Sequence, residues 1–557
     1  MRVAWIARQH KNKTYRYPFV VSSYRNEEGK PRTKVQFNLT GMPEHVVEAI
    51  EKALREGKAP NEAPQKAVCF QRAIEIGASW ATIKTMEKEG VLSEINKIEQ
   101  PYQTAITSMI VDRVINDKPY STRALHGQFK NSGLNQILEQ SKFGSLEQWY
   151  LSLEKIYANQ SDIQKALFKH RKVKGKRIIL YDISSSYFEG DKCPLAAFGY
   201  NRDGKKGKKQ IVYGAITDDF GCPIGIKVFE GNTKDETTVL GQIDELRAEF
   251  EIEEVVFVGD RGMITASKVD AIKAPKYRSW LSYITAVKRS DMMDMADDPN
   301  HPIQIGLFDQ SELAEVCHKG IRYVLCHNPL KKEEDAQTRK RLLEKTEEKL
   351  NSISNQVKKK RLKNKDKIAK RLYRWINRWK MERFFTVTYN EGVFEFSLDQ
   401  DKVDHYSKLD GCYVVTTDME ASEMDKKEIV SRYKSLSKVE QLFRTMKTTE
   451  IMVRPIRRWN PERVKGHLFV CMLAYLIIWH FRQKFHSFLD REPTTKTCVG
   501  GSLREILDSL KQIQIATLKI GDSEVRQVGS LTEYHRQLFK ALGVTMPSDS
   551  NGLSLRK

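Results

Sequence analysis

Four short stretches decide the fold: RIILYDISSSYFEG at 177–190, QIVYGAITDD at 210–219, PIGIKVFEGN at 223–232 and VVFVGD at 255–260. The first three are rich in β-forming residues and are joined by polar turns. A helix is predicted at about 235–250, and a second helix at about 264–274 follows the buried-type fourth strand. The order β-β-β-α-β-α therefore predicts an antiparallel start followed by strands that are joined through helices.

This element order is expected of a ribonuclease-H-like α/β core. Asp182 closes the apolar run 178–181, and Asp260 closes the run 255–259. Carboxylates at the ends of buried strands lie at one edge of a sheet, where α/β enzymes place their chemistry. Two neighbouring carboxylates repel each other unless a cation lies between them. Because oxygen ligands without His or Cys favour Mg²⁺ or Mn²⁺, the pattern predicts a site for one of these ions.

A third carboxylate is predicted on the amphipathic helical segment 425–447. Tyr433, Glu440 and Lys447 are spaced by seven residues, which places them in one stripe along a helix. Two metal ions about 4 Å apart can activate a water or a 3′-hydroxyl and stabilise the leaving oxygen of a phosphodiester. Three such acids in one protein therefore predict phosphodiester cleavage and joining.

The charge balance indicates a polyanionic partner. The chain of 557 residues has 94 Lys and Arg against 72 Asp and Glu, a net charge of +22. Such an excess is typical of proteins that bind nucleic acid or an anionic membrane. The most apolar stretch, 468–481, is shorter than the roughly 20 residues of a membrane-spanning helix, so we expect a buried core helix and no membrane partner. The first 13 residues contain no signal-peptide pattern, and we expect a cytoplasmic protein.

Much of the positive charge lies in one helical stretch. Residues 331–383 contain 20 Lys or Arg and 8 Asp or Glu. Leu343, Leu350 and Val357 recur every seven residues, which predicts a short coiled-coil arm. The arm either tracks DNA phosphates or is an ordinary solvated helix face. Trp375 and Trp379, one helical turn apart, either stack on an unpaired base or pack against the protein, and packing is the more common arrangement.

Several motifs together resemble those of a known family. YDISSSYFEG surrounds Asp182, VGDRGM surrounds Asp260, and AFGYNRDGKKGKKQIVYGAITDDFGCPIGIKVFEGNT lies between them. Tyr433, Glu440 and Lys447 match the pattern Y-(2)-R-(3)-E-(6)-K in type and spacing. The chain resembles the DDE transposases of bacterial insertion sequences, in particular the sixteen-thirty-four group of the insertion-sequence-four superfamily. The resemblance spans roughly 176–480 and, more weakly, the N-terminal hairpin.

One position departs from the pattern. Leu436 occupies the place of the motif arginine. Arg432 and Arg444 are the candidates to supply the missing guanidinium.

The resemblance implies a ribonuclease-H-like catalytic domain with a β-strand-rich insertion between the second and third acids. It also implies Mg²⁺-dependent cleavage at terminal inverted repeats, a homodimeric synaptic complex and strand transfer into double-stranded target DNA. Asp182, Asp260 and Glu440 would be the catalytic and metal-binding residues, with Mn²⁺ able to replace Mg²⁺. The predicted DNA-binding residues are Tyr433, Lys447, Arg444, Arg261, Arg454, Arg457, Arg458, Trp375 and Trp379.

The predicted organisation has six parts: an N-terminal β-hairpin at 1–42, a helical DNA-binding region at 43–175, the first part of the catalytic core at 176–289, an insertion at 290–410, the second part of the core at 411–490 and a C-terminal helical region at 491–557. Two other functions share this fold. One is a domesticated DNA-binding protein without catalysis, against which the three acids argue. The other is a different ribonuclease-H-like nuclease, such as a resolvase, against which the long insertion and the Tyr-Glu-Lys stripe argue.

Overall fold

The computed structural model divides into two compact units. Unit 1 comprises residues 1–84, 128–141 and 484–557, and unit 2 comprises 85–127 and 142–483. The structure describes residues 2–10, 13–26, 29–56, 68–139, 143–171, 177–233, 235–250, 252, 254–264, 266–303, 313–448, 450–489, 501–520 and 523–548.

The strands are numbered along the chain: β1 Arg2–His10, β2 Lys13–Arg25, β3 Pro31–Asn38, β4 Val68–Glu75, β5 Arg177–Tyr187, β6 Gln210–Asp218, β7 Pro223–Phe229, β8 Val255–Val258, β9 Leu281–Ala286, β10 Leu313–His318, β11 Ile321–His327, β12 Phe385–Asn390, β13 Val393–Leu398, β14 Cys412–Thr417, β15 Gln514–Ile520 and β16 Ser523–Val528. The α-helices are Glu44–Glu56, Gly77–Lys88, Val91–Ile95, Tyr102–Ile115, Thr122–Phe129, Gly133–Leu138, Leu146–Ala158, Gln160–His170, Asp235–Phe250, Ala266–Ile272, Pro275–Arg278, Arg289–Asp297, Pro329–Lys358, Lys365–Ile376, Gln400–Ser407, Lys426–Lys434, Leu436–Lys447, Pro461–Lys484, His486–Leu489, Leu503–Lys511 and Glu533–Leu542.

An eight-stranded mixed sheet forms the centre of unit 2. Its order is β10-β11-β14-β9-β8-β5-β6-β7. Strands β5, β6 and β7 are antiparallel neighbours, whereas β8 is parallel to β5 and β9 is parallel to β8. The apolar side chains Ile179, Tyr181 and Phe257 of β5 and β8 are at most 1% exposed. This is the α/β arrangement that the order β-β-β-α-β-α predicts.

Part of the predicted insertion belongs to the central sheet. Strands β10 and β11, which lie within the predicted insertion 290–410, extend the central sheet because β11 pairs with β14. The described residues from 329 to 410 form the helices Pro329–Lys358, Lys365–Ile376 and Gln400–Ser407 and the hairpin β12–β13, so the basic stretch 331–383 is mostly helical, as predicted. The described part of the insertion outside the central sheet therefore contains more helix than strand, whereas the resemblance implies a β-strand-rich insertion. Isolated β-rich sequence runs reveal strands but not the sheet that each strand joins.

The heptad of the basic stretch packs within the insertion itself. Leu350 and Val357, together with Ile353, are buried against Leu372 of the second helix and Phe394 of β13. Apolar residues at this spacing form one face of the long helix. The apolar residues predicted to form a coiled coil therefore pack into the core of the insertion itself, and the charged side chains lie on the other faces of the helix.

Unit 1 contains more strand than predicted. Strands β1, β2 and β3 form a three-stranded antiparallel sheet where the sequence predicted a hairpin. The turn of the predicted hairpin is confirmed, since Gly29 adopts a φ of 76° and donates its N–H to the Asn26 carbonyl at 2.9 Å. The C-terminal region, predicted helical, contributes β15 and β16. Strand β15 pairs with β4, which lies within the region predicted to be all helical.

Helix Pro461–Lys484 is buried on nearly all sides. Among the described residues it is the one helix whose length and apolar composition would allow it to cross a membrane, and 83% of its apolar window is buried inside the protein. Gly466 leaves no room for a Cβ atom, which would collide with the carbonyl oxygen of Leu153. The helix is thus packed as a core element against the neighbouring helix, in agreement with the sequence-based expectation.

Candidate active site

The register of β5 and β8 brings the first two predicted acids to the same level. The parallel pairing of these strands ends at Leu180 opposite Val258. Asp182 and Asp260 each follow that last pair by two residues, and adjacent strands lie about 4.8 Å apart. Asp182 is not at a strand end as predicted, because β5 continues to Tyr187 in its pairing with β6. Beyond Leu180, β5 pairs with β6 but no longer with β8, and Asp182 lies in this part of the strand.

Backbone amides orient both carboxylates. Asp182 Oδ1 accepts a hydrogen bond from the N–H of Ile183 at 2.7 Å. Asp260 Oδ1 accepts from the N–H groups of Gly262 and Met263, both at 2.9 Å, in the turn that follows β8. In the described part of the chain the other oxygen of each carboxylate has no hydrogen-bond partner. One oxygen of each acid is therefore fixed, and the other remains available to a ligand.

Glu440 projects from helix Leu436–Lys447. Val439, Leu442 and Phe443 are buried on this helix, and the Phe443 ring meets Tyr213 of β6 edge-on at 5.6 Å. Glu440, which lies at the edge of that buried face, is exposed. Within the described residues it forms no hydrogen bond or ion pair. The packing of the helix on β5 and β6 thus leaves the Glu440 carboxylate accessible to a ligand.

The charges of Asp260 and Glu440 act on two neighbouring groups. Burial raises the pKa of Asp182 to about 7, and the negative charges of Asp260 and Glu440 contribute to this rise. Burial also raises the pKa of Tyr433, again with contributions from Asp260 and Glu440. Asp182 and Tyr433 are therefore both within electrostatic reach of Asp260 and Glu440.

The donor chemistry of this group fits a hard divalent cation. All donors are carboxylate oxygens, and a cation would stabilise the ionised Asp182 carboxylate, whose pKa is raised chiefly by burial and further by the charges of Asp260 and Glu440. Over the described residues, however, no three His, Cys, Asp or Glu side chains form a closed group that could hold a metal ion by themselves. Mg²⁺ in phosphate chemistry commonly takes only one or two carboxylates and completes its shell with waters and substrate oxygens. An open set of acids suits that mode of binding.

Lys447 is held by an acid that the sequence analysis missed. Its Nζ lies 3.2 Å from Oδ1 of Asp203, whose side chain is only 1% exposed. The same oxygen also pairs with Arg454 Nη1, while Oδ2 accepts the N–H of Tyr187 at 3.0 Å. Burial lowers the pKa of Lys447, and the charge of Asp203 opposes that effect. Asp203 thus joins the loop between β5 and β6 to the end of β5 and to the end of the Glu440 helix.

Arg202, the residue before Asp203, was also missed. Its backbone N–H bonds the hydroxyl of Ser185 at 3.3 Å, and its positive charge lowers the pKa of Asp182. Neither residue belongs to a periodic pattern or ends a strand. The available signal was the sequence NRDGKKGKK, in which one acid stands among many cations.

The predicted arginines occupy different environments. Arg261 lies close enough to Tyr433 for its charge to lower the pKa of that hydroxyl. Arg444 is exposed and has no ion-pair partner among the described residues. Arg432 is engaged by Asp219 and by Glu428, the latter at 2.9 Å. Of the two candidates for the missing motif arginine, Arg444 is therefore the available one.

The segment after the Glu440 helix runs beside the end of β5. Ile456 donates its N–H to the Tyr187 carbonyl at 3.2 Å and accepts the N–H of Glu189 at 2.9 Å. This pairing places Arg457 at the surface, where it bonds Glu189 at 3.0 Å. Arg458 is turned inward, donates to the Thr122 hydroxyl at 3.2 Å, and has a pKa lowered to about 10 by burial and by the charge of Arg113.

Trp375 and Trp379 lie in the insertion, apart from the acids. Their ring centroids are 5.6 Å apart, and both rings are partly buried against the insertion core. The guanidinium of Arg378 lies over both rings. The packing alternative accounts for these contacts.

Comparisons with known proteins identify the family. The family model described as "Transposase DDE domain" matches residues 173–477, which is more than half of the chain. No curated protein matches the chain. Among solved structures, a piggyBac transposase synaptic complex with hairpin DNA is similar at a TM-score of 0.35 and 9% identity, covering 78% of this chain and 79% of that one; a likeness this weak carries no argument. On the strength of the matched domain, the chain belongs to the DDE-domain transposases.

Proposed function

We propose that this transposase cleaves phosphodiester bonds at the terminal inverted repeats of an insertion sequence and joins the 3′ ends to target DNA, in a cut-and-paste reaction. Asp182, Asp260 and Glu440 are the proposed catalytic residues. The observation that carries the proposal is the parallel register of β5 and β8, which brings Asp182 and Asp260 to the same level, and the burial of Asp182 raises its pKa to about 7 there. Perturbed acids of this kind are typical of active sites.

The same three acids would hold the metal ions, most simply two Mg²⁺, with Mn²⁺ able to substitute. When bound, such ions activate the attacking oxygen and stabilise the leaving oxygen of the phosphodiester. The protein itself positions the carboxylates that would bind these ions. The Gly262 and Met263 amides orient Asp260, and Glu440 lies on the helix that packs against β5, the strand of Asp182.

Cationic residues around the acids would bind the DNA backbone. We propose that Lys447 and Tyr433 contact the phosphate next to the scissile bond and that Arg444 takes the role of the motif arginine. Arg261 and Arg454 would contact neighbouring phosphates, as would the exposed face of Arg457. Arg458 points inward, so it would support the backbone of the segment that carries Arg454 and Arg457. The basic insertion provides a further phosphate-binding surface.

The remaining features of the proposal follow from the resemblance in the motifs. They are membership of the sixteen-thirty-four group, double-stranded DNA as both substrate and target, a homodimeric synaptic complex and a cytoplasmic, nucleoid-associated location in a bacterium.

The test is a strand-transfer assay with pre-cut ends. Duplexes that carry the terminal repeats flanking this reading frame are incubated with the full chain, Mg²⁺ and a supercoiled target plasmid. We expect ends joined to the plasmid through their 3′-hydroxyls, and no joining of duplexes with scrambled repeats. Cleavage of branched DNA without any end joining would instead identify a structure-specific nuclease and overturn the proposal.

A further inference from the structure

The loop between β5 and β6 exposes two large aromatic side chains. Phe198 is 65% exposed and Tyr200 is 84% exposed, the latter more than any other large hydrophobic side chain among the described residues. Exposed aromatic residues that lie close together commonly mark a binding surface. This one carries a distinctive chemistry, because the residues that follow it are strongly basic.

The backbone of this loop is fixed. Ala197 and Gln210 exchange two backbone hydrogen bonds, of 3.2 and 2.9 Å, and Gly231 donates its N–H to the Leu195 carbonyl at 2.9 Å. A Cβ atom on Gly199 would collide with the carbonyl oxygen of Gly231, so the chain is in close contact there. The aromatic rings on either side of Gly199 are thus held outward by an anchored backbone.

The loop has an unbalanced positive charge. Residues 198–209 contain five Lys or Arg and a single acid, Asp203. That acid is already engaged by Lys447 and Arg454. Lys205, Lys206 and Lys208 are exposed, and none of them pairs with a carboxylate in the part of the chain that the structure describes. The surface therefore attracts an anion that is long enough to meet several cations.

The loop is adjacent to the acids. Arg202 is bonded to Ser185 on β5, and its charge reaches Asp182. Two residues of chain span at most about 7 Å, so the backbone of Tyr200 lies within that distance of Arg202. Because Ser185 is three residues along β5 from Asp182, about 10 Å, a ligand on Tyr200 would lie within a few nucleotides of the proposed scissile phosphate.

We propose that loop 198–209 is a DNA-end-binding surface, in which Tyr200 stacks on an unpaired base beside the cleavage site and the exposed lysines hold the adjoining phosphates. Aromatic platforms combined with cations are the usual means of binding unpaired nucleotides. The row of exposed lysines suits a polyanion such as DNA better than the surface of a folded protein. The position of the loop close to the proposed catalytic acids suits the DNA substrate better than a membrane. The inference rests on the proposed function and names the part of the substrate that this loop binds.

The experiment is photocrosslinking of the full chain to pre-cut element ends without divalent metal. Each of the terminal nucleotides in turn is replaced by 5-iodouracil, which crosslinks to a stacked aromatic ring. We expect a crosslink that maps to Tyr200, is retained in Tyr200→Phe and falls at least tenfold in Tyr200→Ala. Tyr24→Ala, an exposed tyrosine outside the proposed DNA contacts, is the matched control and should keep the full yield.

Two crosslinking outcomes would overturn the inference: a crosslink yield in Tyr200→Ala equal to that of the wild type, or crosslinks at no position of the loop. Replacing Lys205, Lys206 and Lys208 together by Gln should lower the slope of log affinity against log salt by about 2–3, and an unchanged slope would also contradict it. Strand transfer by the same protein is measured in parallel. Its absence together with a Tyr200 crosslink would reject the function and retain the surface, whereas joining without the crosslink would reject only the surface.

Discussion

At the scale of single residues, the buried carboxyl of Asp182 makes the stability of the metal-free protein depend on pH. Its folded-state pKa, about 7, is above the ordinary value of 3.8. Between these two values the folded chain holds a proton that the unfolded chain has lost, so the stabilising contribution declines as the pH rises towards 7. The carboxylate is then an unfavourable charge unless a cation is bound.

We predict that Asp182→Asn becomes more stable than the wild type as the pH is raised from 5 to 7, by about 1–2 kcal/mol, with no further change above about pH 8. Each unit of pKa shift corresponds to ~1.4 kcal/mol, and partial solvent access reduces the effect. Thermal unfolding in EDTA measures the difference. Asp294→Asn, an exposed acid of the same unit, should show no such trend, and a pH-independent difference for Asp182→Asn would refute the raised pKa.

Asp203 is the residue whose loss should disturb the site most without removing a proposed catalytic group. Asp203→Asn leaves Lys447 and Arg454 without their shared counter-charge, and breaking a buried ion pair from one side is costly. We expect a destabilisation of about 2–4 kcal/mol in chemical denaturation, since Lys447 is 12% exposed and Asp203 only 1%.

The control for this change is Glu189→Gln. The ion pair of Glu189 with Arg457 is exposed, so its loss should cost less than about 0.5 kcal/mol. If the two variants were equally stable, Asp203 would not be the link between the loop and the Glu440 helix.

Among individual residues, the sequence predicted those with a recognisable context. Asp182 and Asp260 follow apolar runs, and Glu440 lies in an amphipathic helical segment. Tyr433 was expected on the same helix as Glu440, but it lies on the preceding helix Lys426–Lys434. Asp203 and Arg202 could not be found in this way, because their roles arise from tertiary contacts of an irregular loop with a strand and a distant helix. The DNA contacts assigned to the arginines and tryptophans stay predictions.

At the scale of elements, strand identity was predictable and strand partnership was not. The alternation and β-branching of 321–327 indicate a strand, but only the pairing of β11 with β14 assigns it to the central sheet. In the same way, the length of β5 beyond Asp182 depends on β6, which continues to pair after β8 has ended. Such pairings are non-local and leave little trace in a local pattern.

The long helix of the insertion leads to a prediction about salt. Lys358, Lys359 and Lys360 lie at its exposed C-terminal end. If they contact phosphates, replacing all three by Gln should lower the slope of log affinity against log salt by about 2–3. Binding to element ends over a series of KCl concentrations gives this slope.

Lys402→Gln provides the comparison within the same insertion. Lys402 already pairs with Asp399 at 2.9 Å, and its replacement should change the slope by less than about 1. A triple variant with the wild-type slope would show that the basic helix end is only a solvated surface.

At the scale of the whole molecule, the division into units follows from long-range pairing. The N-terminal and C-terminal parts of the chain share unit 1, where β4 pairs with β15 although more than 400 residues separate them. A sequential reading placed these segments in separate regions, the first of them purely helical. The sequence motifs around Asp182, Asp260 and Glu440 all lie within unit 2 and within the matched family domain at 173–477.

The central claim is that Asp182, Asp260 and Glu440 form one catalytic group. Its most direct test is a single panel in which Asp182→Asn, Asp260→Asn and Glu440→Gln are assayed for cleavage of element ends and for joining of pre-cut ends, beside Asp294→Asn and the exposed Glu395→Gln. We predict that each of the first three loses both reactions by at least about 10³-fold while still binding the ends, because the loss of one member disables a group that acts as a unit, and that both controls retain them. Cleavage or joining near the wild-type rate in any one of the three acid variants would contradict the account.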